Sequence, residues 1–63
     1  MLNEEDIVRI MIEVAEKNAW DHARKDPYFS EERATKIIAI QTHDFTPLAK
    51  LMATEIVKNI NNV

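Results

Sequence analysis

Two dipeptides, Asp21-His22 and His43-Asp44, hold the residue types in this chain best suited to metal or acid–base chemistry. Zinc accepts imidazole and carboxylate, but a closed site needs three or four such groups about 2 Å from one point. Cysteine is absent, which removes thiolate ligands and disulfides together. On neighbouring antiparallel helices the two histidines would stand on the order of 15–20 Å apart, at about 1.5 Å per residue. No metal, cofactor or catalytic group is expected. The carboxylates read as solvated helix faces, and a chain this short encloses little room for a pocket of about 300 Å³. The chain does not read as an enzyme.

Two other constellations remain. Asn18 and His22, four residues apart, interrupt the apolar face of the first helical stretch, and Glu55 and Asn59 do the same near the end of the chain. Buried polar groups are costly unless paired, so these four suggest a polar layer in which His22 meets Glu55, within one chain or across a dimer. Such layers can set register and oligomeric state. The bland alternative leaves all four in water. Trp20, the only tryptophan, falls among Arg9, Glu13, Glu16 and Arg24 on the polar side of the same stretch. A large aromatic ringed by charge is a candidate anchor for a protein partner. Its alternative is a structural role under the Tyr28-Phe29 connection.

Three helices are expected to position these groups. The first spans about residues 4–25, with Asn3 as its cap and Glu4, Glu5 and Asp6 at the positive end of its dipole. It stops where Pro27 disfavours helix at Asp26. The second spans about 31–41 after a Ser30 cap. Thr42-His43-Asp44-Phe45 reads as a turn. Thr46-Pro47 reads as a cap followed by proline at the first helical position, opening a third helix over about 47–59.

Composition bounds what such a chain can do. Eleven acidic against eight basic side chains give a formal charge of −3, which speaks against nucleic acid, whose binding rests on clustered cations. The acidic start MLNEED and the absence of a long apolar run point to a cytoplasmic protein without a membrane span. At 63 residues a single domain buries only about 60% of the surface its unfolded chain exposes. Yet the apolar arcs of the first and third helices each cover more than about 200° of their circumference. The expectation is therefore one all-α domain over residues 1–63, a three-helix bundle completed by oligomerisation. Val8, Ile12, Ala49, Ala53 and Val57 would supply the oligomer interface. It would act as a small protein–protein interaction module, an adaptor, inhibitor or regulator working by occlusion, with itself and a second protein as partners. The alternative is a DNA-binding helix-turn-helix dimer built on the second and third helices. Its reading helix, beginning Pro47-Leu48-Ala49-Lys50, is poor in the side chains that contact bases.

Overall fold

The computed structural model describes residues 3–61; Met1, Leu2, Asn62 and Val63 lie outside the described residues. Asn3 begins the first helix as its sequence suggests: its side-chain oxygen accepts the Asp6 backbone N–H at 2.8 Å, and Glu4, Glu5 and Asp6 fill the first turn. Helix α1 spans Glu4–Arg24. The chain then turns through 25–30. The Asp26 carboxylate accepts the Tyr28 N–H at 2.8 Å and the Asp26 carbonyl accepts that of Phe29 at 3.0 Å, the local bonding for which aspartate is favoured in turns. Ser30 Oγ accepts the Arg33 N–H at 3.4 Å, and helix α2 runs Glu31–Asn61, 31 residues without interruption.

The three-helix bundle is thus replaced by a two-helix hairpin, with no strand among the described residues. The expected second and third helices are one, and Pro47 lies inside it. Three observations account for this. Pro47 and His43 are both exposed, so the ring's missing N–H strands a carbonyl that water can satisfy, which limits the cost of an internal proline. Thr46 does not cap; its hydroxyl donates to the Thr42 carbonyl at 2.8 Å, a bond made inside a continuing helix. Finally, Phe45 is half-buried while Ala49 and Ala53 are fully covered. A turn at 42–46 would strip that cover from the N-terminal half of α1, where Ile7 is buried.

The hairpin is a single layer. It measures 47 × 17 × 14 Å, with a radius of gyration of 14.4 Å, against about 10.6 Å for a compact domain of this length. The buried hydrophobic residues are Ile7, Ala34, Ile38, Ala49 and Ala53, and no large side chain is fully enclosed among the described residues. Three of those five are alanines, whose lack of atoms beyond Cβ lets the two helix backbones approach closely. At the open end, the Thr54 hydroxyl donates to the Glu4 carboxylate, fifty residues away in sequence. That contact places Glu4 level with Thr54, whose hydroxyl also lies 2.9 Å from the Lys50 carbonyl within α2. No described helix is long and apolar enough to cross a membrane.

Candidate interaction surface

Level matching decides which sequence-expected groups can meet. With Glu4 opposite Thr54, His22 stands eighteen residues along α1 from Glu4, about 27 Å from the level of Glu55 at 1.5 Å per residue. The polar layer of Asn18, His22, Glu55 and Asn59 is therefore not assembled within one chain, and all four residues are exposed. The cause is the missing second turn, since only a third helix would have carried Glu55 back towards His22. Instead Asn18 and His22 share a groove near the turn with Gln41, Thr42 and Phe45. His43 is exposed, and the described residues contain no group of three or more His, Cys, Asp or Glu able to hold a metal ion.

Trp20 is half-buried rather than bare. Phe29, from the connection, meets it edge-on with ring centroids 6.4 Å apart, and the Arg24 guanidinium lies 5.1 Å from the indole centroid. Tyr28 stays 81% exposed, so only one of the two connection aromatics provides cover. Of the charged residues grouped with Trp20, Arg24 lies against the ring. It also pairs with Asp21 at 3.8 Å. Arg9 pairs with Asp6 at 3.6 Å and with Glu13 at 3.4 Å, three turns of helix away, and Glu16 is exposed. These ion pairs are solvent-facing and contribute little each.

The residues expected to form an oligomer interface divide. Ala49 and Ala53 are 0% exposed; they hold α1 against α2 and offer nothing to a second chain. Val57 is half-buried. Val8 and Ile12, also half-buried, line one groove of the hairpin beside Lys50, under a charged rim of Glu5, Arg9 and Glu13. Surplus apolar surface lies elsewhere, on residues the sequence shows as apolar without saying which way they face. Ile10 and Val14 are exposed on α1, and Ile37, Leu48, Met52, Ile56 and Ile60 on α2.

Those residues fall into rows. Ile10, Val14, Asn18 and His22 form an i, i+4 ridge on α1, and Leu48, Met52, Ile56 and Ile60 form one on α2, with Ile37 and Gln41 along the same side nearer the turn. The groove that Asn18 and His22 share with Gln41 places the two ridges on the same broad face of the hairpin, and His22, Ile37 and Gln41 line the adjoining groove at the turn. Val8 and Ile12 line a separate groove, with Lys50 in place of Gln41 and Phe45. Glu55 and Asn59, seven and eleven residues on from Leu48, fall on the same side of α2 as its ridge and are exposed. This face thus carries its apolar ridges near the middle, with polar groups towards both the open end and the turn. Ile40 and Leu51 project from the outer back of α2 and belong to neither.

No family model, curated protein or solved structure matches this chain.

Proposed function

We propose that this chain is a small interaction module that acts by laying a helical face against another polypeptide and excluding other contacts there. One observation carries the reading: the hairpin exposes 5296 Å², about 1,100 Å² more than the roughly 4,200 Å² typical of a folded monomer of its mass. A single layer has one internal seam and two uncovered sides, whereas stable domains bury their apolar faces between layers. The exposed Ile, Leu and Met side chains are grouped in ridges, which suits helix packing. Scattered single apolar residues would need no explanation.

Other functions have less to rest on. The helix-turn-helix alternative requires a turn at 42–46, and α2 is continuous there. The negative net charge still disfavours a phosphate backbone as partner.

The test is the state of the isolated chain at high dilution. A module awaiting a partner should bind a dye that brightens on exposed apolar surface, and should lose that signal when its partner is added. A sharply melting, dye-dark monomer at the same dilution would overturn the reading.

A further inference from the structure

We infer that the occupant of the apolar face is a second copy of this chain, seated on the ridge of Ile10 and Val14 and the ridge of Leu48, Met52 and Ile56, so that two hairpins close into a four-helix bundle. This rests on the interaction reading above and names its partner and its surface.

Area and symmetry together point to the occupant. The excess of about 1,100 Å² over a compact monomer is close to the share of about 800 Å² that each partner buries in a stable protein–protein interface. A second hairpin presents the same ridges within the same 47 × 17 Å outline, and in each copy α2 runs past the start of α1 beyond Thr54. Two layers of helices are also the least that gives Ile10, Leu48 and Met52 a roof, and two-fold pairing of identical patches closes without leaving a free edge. Ile10 lies near the level of Leu48 when Glu4 is opposite Thr54, so the apolar ridges meet side by side at the centre of the patch.

The other surfaces do not compete. Apart from Val8 and Ile12, the groove between them is lined by charged residues alone, Glu4, Glu5, Arg9, Glu13 and Lys50, a denser set of charges to strip of water under a flat partner than Glu55 on the proposed face. Ile40 and Leu51 lie on the outer back of α2 and remain exposed in the bundle. Asn18, Gln41 and His22 extend the covered face with polar groups, a feature suited to limiting which registers two copies can adopt.

The native chain contains no cysteine, which makes single-cysteine protection a clean probe. Leu48→Cys and Ile40→Cys would each be labelled with a maleimide across a dilution series, alongside sedimentation of the unmodified chain. Leu48 and Ile40 are similarly exposed in the hairpin, 53% and 62%. In the dimer the position-48 thiol should react at least about tenfold more slowly than the position-40 thiol, and dilution to monomer should abolish the difference. Equal rates at concentrations where the chain sediments as a dimer would overturn the assigned face. A monomer at every attainable concentration would overturn the second copy. If that monomer still brightens the apolar dye, the interaction reading survives with a different protein as partner; if it is dark and melts sharply, both fall. Val14→Glu, exposed in the hairpin, should shift the association midpoint at least about tenfold towards monomer, and an unchanged midpoint would also count against this face.

Discussion

Phe29 and Arg24 together decide what Trp20 can do. The edge-on ring contact at 6.4 Å and the guanidinium 5.1 Å from the indole centroid tie the connection to the last turns of α1, so the indole holds the turn rather than standing free. Removing the partner ring should show this directly. Phe29→Ala should red-shift Trp20 emission, raise its quenching by acrylamide and lower stability by about 1 kcal/mol, the usual worth of an aromatic pair beyond its burial. Arg24→Ala should produce a smaller loss of about 0.5 kcal/mol, since the cation sits in solvent. At the other end of α1, Asn3 accepts the Asp6 N–H at 2.8 Å. Asn3→Ala should cost about 1 kcal/mol in a denaturation series, with Asn3→Ser restoring most of it. Loss of stability in both Asn3 variants would mean that the cap bond is not the cause.

At the scale of the element, α2 shows what local sequence leaves undecided. The boundaries of α1 were legible because each had its own chemical signal: an asparagine cap, an acidic first turn and a proline after the last turn. Ser30 and its following glutamates marked the start of α2 equally well. Thr46-Pro47 carries the same kind of signal and here it misleads, because a proline whose orphaned carbonyl faces water can stay inside a helix that buries enough on its other side. The contrary signal was present. Ile38, Thr42, Phe45, Ala49 and Ala53 recur every three or four residues straight through the supposed turn, a spacing that only a continuous helix keeps on one face. Losing that turn also dissolved the polar layer and moved Ala49 and Ala53 inside, so one error in connectivity displaced most of the expected site. Which apolar residues would face outward depended on where the second helix lay, and helical periodicity alone does not specify that. Pro47→Ala tests the account. It restores the N–H that can reach the His43 carbonyl and removes a poor helix former, so it should stabilise the chain by roughly 1–3 kcal/mol, with a gain in far-ultraviolet helicity. A loss of stability would mean that the proline shapes α2 to fit α1.

The whole molecule is a rod 47 Å long and 14 Å thick, and its thickness is that of one layer of helices. Among the described residues five are buried, three of them alanine, and they give little apolar cover to offset the ordering of a chain this size, which is marginal even when compact. If a second copy provides the missing layer, folding and association are one equilibrium, and stability must depend on concentration. A tenfold rise in protein concentration adds about 1.4 kcal/mol per dimer by mass action. Against an unfolding entropy of about 2.1 cal/mol/K per residue over two chains, that corresponds to a rise of about 5 °C in melting temperature for each tenfold step. Asn18→Leu, which extends the Ile10–Val14 ridge by one apolar step, should raise the whole series by tightening association, while Ile40→Ser on the outer back of α2 should leave the slope unchanged. A melting temperature flat across a hundredfold range of concentration would instead require the thin hairpin to be stable alone, with its ridges of isoleucine, leucine and methionine in water.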